Sequence, residues 1–254
     1  MISSWLNRYR GISRKHGLQA SRKWAAHQNN FGSPEVKAAM TLQRSGFFAA
    51  RSYGKLAELA NQFELPLLGD NVRSLQLGLL AEEIEREQPL GAVAELGVFR
   101  GNFSKLIRKA FPNRKFYLFD TFSGFAADQA QHDVKSFAAT LHDFSNTSVE
   151  QVKKNIGDTS LCEFRVGFFP STTEGLDAEK FVFASIDVDL YQPTLDGLNF
   201  FYSRLVSGGA ILVHDFHARG YAGCQQAVRE FCKENRLRPV LLADSIVSAL
   251  IIKP

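Results

Sequence analysis

Two periodicities alternate along this chain. Short runs of β-branched and aromatic residues, bounded by turn residues, alternate with longer stretches whose apolar positions recur every three to four residues. The first kind reads as buried strand and the second as amphipathic helix. Runs at 92–96, 116–120, 162–166, 181–187 and 210–214 predict strands, and 102–111, 128–141, 147–156, 193–205 and 221–235 predict the helices between and after them. Two last runs, 239–243 and 246–252, predict a closing hairpin around Ala243, Asp244 and Ser245. Ahead of the first strand, Asp70 or Asn71 caps a helix through about Glu87, with Val72, Leu75, Leu79, Leu80 and Ile84 on one face. Pro66 to Asp70 make a break, and Pro34 after Ser33 sits where a helix would begin, so 34–64 reads as one or two helices. Such alternation predicts the α/β class: a doubly wound, mostly parallel seven-stranded sheet covered on both faces. The hairpin would add one antiparallel strand at an edge. Residues 1–70 are then a helical N-terminal appendage, an arm or lid, and 71–254 the main domain.

The polar residues that interrupt this pattern gather at strand ends. The run from Phe181 stops at Asp187 and Asp189, and the run from Gly209 stops at His214 and Asp215. In open α/β sheets ligands sit at the carboxyl ends of strands. Asp189 is read as heading the turn, with Tyr191 lining the site. His217, Arg219 and Tyr221 follow the second rim and either line an acceptor pocket or lie in exposed loop.

The first strand leads through Glu95, Gly97 and Gly101 into a helix, a GxxxG spacing. Gly97 permits a tight turn and close backbone approach to a ligand, and Gly101 sits where helix N–H groups are unpaired. A dinucleotide would want GxGxxG for its pyrophosphate, so the shorter motif suits S-adenosyl-L-methionine. Asp120 ends the second strand 23 residues after Gly97. Its carboxylate either accepts both ribose hydroxyls or caps the next turn. Thr121 beside it joins the candidate cofactor set. Glu95 either faces the cofactor's cationic end or is a buried structural acid. Asp143, Ser145 and Thr147 either reach the adenine or cap the next helix; Ser145 is carried as a cofactor candidate.

Charge adds an asymmetry. The chain has a net +4, but residues 1–55 carry ten Lys/Arg against Glu35 alone, and the remainder carries 20 against 25 acids. With Ile2, Trp5, Leu6 and Tyr9 among its arginines, the 1–30 arm suits peripheral contact with an anionic membrane surface or an acidic partner, or simple packing in a homo-oligomer. No aromatic–basic module for nucleic acid is present. No apolar run reaches the roughly 18 residues of a membrane span, and the start lacks a signal-peptide core. Three cysteines without a CxxC fit free thiols. A cytoplasmic location is expected.

The motifs Glu95-Leu-Gly-Val-Phe-Arg-Gly101, Asp120-Thr-Phe-Ser-Gly-Phe125, Gly167-Phe-Phe-Pro, Ile186-Asp-Val-Asp-Leu-Tyr-Gln-Pro-Thr194 and Arg204-Leu-Val-Ser-Gly-Gly209, followed by His214-Asp215-Phe216, together resemble the macrocin O-methyltransferase (TylF-like) family. The resemblance covers about residues 90–232 and leaves 1–70 outside. It implies the class I methyltransferase fold, which is Rossmann-like. It also implies S-adenosylmethionine-dependent methylation of a hydroxyl on a sugar or glycosylated metabolite, in natural product or glycan biosynthesis. A divalent metal, usually Mg2+, is implied as well. Carried over by position, its ligands are Asp187, His214 and Asp215, with Asp187 also a candidate base.

His214 departs from the family's consecutive acids. An imidazole ligand weakens Mg2+ and favours Mn2+, Fe2+ or Zn2+. Otherwise the metal is lost and His214 is itself the base, since imidazole titrates near neutrality. The rival functions are a metal-independent small-molecule O- or N-methyltransferase using His214 or Asp187, and a non-catalytic binding protein that keeps the fold. Arg51 and Tyr53 are candidates for a lid.

Overall fold

The computed structural model describes residues 71–218, 220–244 and 246–254. The readings for 1–70, the basic arm, the Pro34 helix and the Arg51/Tyr53 lid among them, lie outside the described residues, as does Arg219. In chain order the elements are α1 (Asn71–Glu87), β1 (Ala92–Leu96), α2 (Asn102–Ala110), β2 (Phe116–Asp120), α3 (Ala127–Phe137), α4 (Val149–Ile156) and β3 (Cys162–Val166). After them come a 3-10 turn at Ser171–Thr173, β4 (Phe181–Ile186), α5 (Tyr191–Arg204), β5 (Leu205–Val213), α6 (Ala222–Glu234), β6 (Val240–Leu241) and β7 (Ala249–Ile252). All lie in one compact unit, Leu68–Pro254.

The sheet has seven strands in the order β3-β2-β1-β4-β5-β7-β6. The first five are parallel, and β7 runs antiparallel to both β5 and β6. The strand order reverses between β1 and β4. That is the topological switch point where the loops diverge and leave a crevice at the strand carboxyl ends. The register lines those ends up: Leu96 pairs with Phe119 on one side and with Ile186 on the other, and Ile186 pairs with Val213. Strands β1 and β4 are buried along their whole length, as a sheet covered on both faces requires. Many of the phenylalanines fill the layers around it. Phe119, Phe169, Phe181 and Phe201 pack edge-to-face or stacked at 5.2–5.9 Å between centroids, each buried ring contributing about 1.5–3 kcal/mol by removal from water.

Several boundaries differ from the sequence reading, each for a local reason. β5 starts at Leu205 rather than 210, because the chain leaves α5 directly into the sheet and absorbs the offset in an irregular register opposite Phe181–Phe183. Helix α3 stops at Phe137 rather than 141, where Ala138 turns left-handed at φ 52°, and residues up to Ser148 become a loop. Helix α4 then starts at Val149, with the Ser148 hydroxyl accepting from the Gln151 N–H at 3.2 Å. The hairpin strands are shorter than expected, because Asp244 accepts the Ser248 N–H and draws neighbouring residues into the turn. The antiparallel strand is not the edge: β7 inserts between β5 and β6, and the two-residue β6 takes the edge. In α1 the buried residues include Arg73, Leu77 and Ala81 beside the expected Leu75 and Ile84, while Leu79 and Leu80 are only partly buried. The helix is rotated enough to bring an arginine inward.

Among the described residues, no helix is long and apolar enough to cross a membrane.

Candidate active site

The glycine turn is built by contacts that only glycine allows. Gly97 has φ +89°, and a Cβ there would lie 1.9 Å from the carbonyl oxygen of Asp187. The turn from β1 therefore passes flush against the end of β4. Gly101, at φ +76°, begins α2, and a Cβ would press on Val152 at 2.8 Å. Asp120 closes the turn from the neighbouring strand: one carboxylate oxygen accepts the N–H groups of Val98 and Phe99 at 2.7 and 2.8 Å, and the other accepts that of Phe122 at 2.7 Å. Its main structural work is thus to hold the backbone of two turns. It still faces the cavity, and three bonds leave about one acceptor direction of a carboxylate's four.

Glu95 is buried beneath the turn and accepts a short hydrogen bond from the Ser104 hydroxyl. Burial drives its pKa well above the usual carboxylate range, with the Ser104 bond opposing only part of that. Thr121 lines the cavity, but its hydroxyl closes a local turn, donating to the Gly124 carbonyl and accepting from the Ser123 N–H. Ser145 is exposed and turned to Asp143, to which it donates at 2.6 Å; Phe144 takes the wall position instead.

The acid rim forms just past β4 and β5, one residue beyond each strand as drawn. Backbone bonds still tie it to the sheet: the Asp187 N–H donates to Leu96 and the His214 N–H to Ile186. Asp187 lies 3.0 Å from His214 Nδ1 through one oxygen and accepts from Arg73 Nη1 at 2.9 Å through the other. The same His214 Nδ1 lies 3.0 Å from Asp215. Burial pushes the Asp187 carboxyl up, but the His214 and Arg73 charges outweigh it and hold it well below the usual range. Asp189 and Asp215, both in left-handed backbone near φ +60°, go the other way. Burial raises both, and the neighbouring carboxylates add repulsion. Asp187 therefore favours its ionised form more than Asp189 and Asp215 do.

Arg73 was not singled out in the sequence. It is 11% exposed in its side chain and sits 4.2 Å over the Phe103 ring while pairing with Asp187. The available signal was a single arginine inside the apolar stripe of α1. Cys224, one of the free thiols, is buried and donates to the His214 carbonyl, which steadies the rim turn. Tyr191 does not line the site. It heads α5 with its N–H on Asp133 and its hydroxyl on Glu230. His217 is likewise turned away, bonded to Gln225.

Turn and rim open on one cavity of about 440 Å3, lined by Glu95, Gly97, Phe99, Asp120, Asp187, His214 and Tyr221 among others. That is within the range of small-molecule sites, about 300–1,000 Å3. Phe144 packs edge-to-face on both Phe99 and Phe125 at 5.3 Å, forming an aromatic wall on the glycine-turn side. A flat heteroaromatic base fits such a wall, and a hydroxylated, cationic small molecule fits the carboxylates beside it. Asp187, His214 and Asp215 also fit a divalent ion. Each offers one ligand atom, and these lie within 4.8 Å of one another. One nitrogen among the oxygens suits a borderline ion better than Mg2+.

Residues 23–247 match the family model described as Macrocin-O-methyltransferase (TylF). The match extends well before residue 70, so most of the segment set outside the resemblance belongs to it. A curated protein of Streptomyces olivaceus, 8-demethyl-8-(2,3-dimethoxy-alpha-L-rhamnosyl)-tetracenomycin-C 4'-O-methyltransferase, is 26% identical over 153 residues, covering 56% of this chain. The match spans 58% of that relative's length. Among solved structures, the O-methyltransferase NovP superposes with a TM-score of 0.60 at 20% identity, over 87% of this chain and 99% of NovP. CalS11, a calicheamicin methyltransferase, gives 0.59 at 19%, over 87% of this chain and 93% of CalS11. At these identities the likeness is one of fold.

Proposed function

The chain belongs to the macrocin-O-methyltransferase (TylF) family, and we propose that it transfers a methyl group from S-adenosylmethionine to a hydroxyl of a sugar or glycosylated small molecule. The observation that carries this reading is the convergence of the glycine turn and the Asp187–His214–Asp215 rim on one cavity at the switch point. The rhamnosyl acceptor named for the Streptomyces relative points to a deoxyhexose as the substrate class.

In this reading the adenine lies against Phe99, Phe125 and Phe144, and the remaining acceptor direction of Asp120 takes one ribose hydroxyl. Glu95 faces the cationic end of the methionine moiety. The acceptor hydroxyl is held at the rim, in line with the sulfonium. Its oxygen forms the new C–O bond as the C–S bond breaks, leaving the thioether S-adenosylhomocysteine, and its proton passes to a base. Orientation supplies most of the acceleration.

Asp187, His214 and Asp215 would hold a divalent ion, which when bound lowers the pKa of a coordinated hydroxyl. A metal-free version is favoured by one observation: Arg73 already supplies Asp187 with a positive partner. In that version His214 keeps a proton on Nδ1, shared toward Asp187 and Asp215, and the opposite ring nitrogen is the base. The two versions use the His214 ring differently, as a ligand or as the base.

Titration calorimetry with S-adenosylmethionine tests the cofactor, and the absence of binding up to millimolar would remove it. Complete chelation followed by metal add-back separates the versions. Loss and recovery of turnover favours the ion, and unchanged turnover favours His214.

A further inference from the structure

Tyr221 lies on the turn between β5 and α6, at the acid end of the cavity. The residue is 7% exposed, and its hydroxyl is out of reach of solvent with no hydrogen-bond partner. A buried hydroxyl without a partner costs stability, and in native proteins such groups call for an explanation. Packing does not supply one, since a phenylalanine would fill the same space without the cost. Burial, with the charges of Asp189 and Asp215 nearby, raises the phenol well above its ordinary value, so it stays a donor at working pH.

The neighbours give the missing partner a shape. The His142 ring lies 6.2 Å from that of Tyr221 and borders the cavity. Its loop is fastened to the Tyr221 turn by a bond from the Thr140 N–H to the Gly220 carbonyl at 3.1 Å. The same loop is fastened to the glycine turn by the Thr147 hydroxyl on the Phe99 carbonyl. Cofactor contacts in the reading above fall on the glycine-turn side and Tyr221 falls at the acid end, with the His142 ring between them, 6.2 Å from both Phe144 and Tyr221. A ligand that reaches the covered Tyr221 hydroxyl meets one donor, an aromatic ring and the acid rim. That suits a pyranose, which offers several oxygens along its edge and apolar C–H groups on its face.

We infer that Tyr221 and His142 form the acceptor half-site, with the Tyr221 hydroxyl donating to a sugar oxygen other than the one methylated and the His142 ring covering the pyranose face. This rests on the methyltransferase reading above. The absence of such an oxygen would leave Tyr221 without its partner, so deoxygenation next to the reacting position should be discriminated against.

The test uses the full chain, Tyr221→Phe and His142→Ala, with p-nitrophenyl α-L-rhamnoside as acceptor. Tyr221→Phe should melt at or above the wild-type temperature, bind S-adenosylhomocysteine unchanged, and raise the acceptor KM about tenfold. His142→Ala should raise KM by a smaller factor. A lower melting temperature with unchanged KM would overturn the inference, because the hydroxyl would then have a structural partner. Wild-type protein that binds S-adenosylhomocysteine but neither binds nor methylates the rhamnoside would overturn the acceptor class alone. Failure to bind S-adenosylhomocysteine would instead sink the methyltransferase reading, and the inference with it.

Discussion

Asp187 carries two nitrogen partners, one from an element far away in sequence. Its partners at 2.9 and 3.0 Å, Arg73 and His214, explain why it stays ionised at a half-buried strand end. Arg73→Met should cost up to about 3 kcal/mol in thermal unfolding, the low end for breaking a buried pair, because His214 still faces Asp187. An unchanged melt would mean that the ion pair is not formed in solution. Glu95 makes the opposite case, since burial raises its pKa and favours the protonated form in the free protein. A cationic cofactor end placed beside it would pull its pKa down and release a proton. Binding of S-adenosylhomocysteine should therefore strengthen as pH rises through the raised Glu95 pKa. Calorimetry in buffers of different ionisation enthalpy should show that release, and Glu95→Gln should abolish it. The acids and His214 were legible in the sequence because they end apolar runs at strand termini. Arg73 was not, because helix periodicity marks apolar positions and passes over a single cation among them. The hold of Asp120 on the backbone was hidden too, since its partners are N–H groups that carry no residue identity.

At the scale of elements, the parallel strands were readable as buried apolar runs, and their order followed from alternation with helices. Loops were not. The segment after α3 has helix-forming residues, yet Ala138 ends the helix and bonds to the turns at Gly220 and Phe99 decide its path. Those partners are distant in sequence. The short β6 gives the sheet a blunt edge, one way proteins limit edge pairing. Between α2 and β3, Asp158 accepts from the Ser160 N–H and from the buried Arg108. These bonds, Ser160 first, lower its pKa from 3.8 to about 2. A depressed folded pKa gives stability that is present above the unfolded value and lost as pH falls through the folded one. Acid unfolding of Asp158→Asn should accordingly show a weaker pH dependence between about pH 4 and pH 2 than wild type. Identical profiles would show that the bonds are not formed in solution.

For the molecule as a whole, the reversal of strand order at β1 and β4 fixes where a ligand can sit, and the register brings four strand ends to that place. The doubly wound α/β class was legible from alternation alone. Membership in the family matched by residues 23–247 was legible from five ordered motifs. Acceptor identity was not, because the acceptor side is shaped by turns and a loop whose packing is non-local. The central claim is methyl transfer to a sugar oxygen. It is tested most directly by incubating the full chain with S-adenosylmethionine carrying a labelled methyl group and a panel of α-L-rhamnosides, and reading the products by mass spectrometry. The account predicts one labelled methyl ether on a sugar oxygen for each S-adenosylhomocysteine formed. Cofactor binding without any sugar ether, or label on nitrogen instead of oxygen, would contradict it.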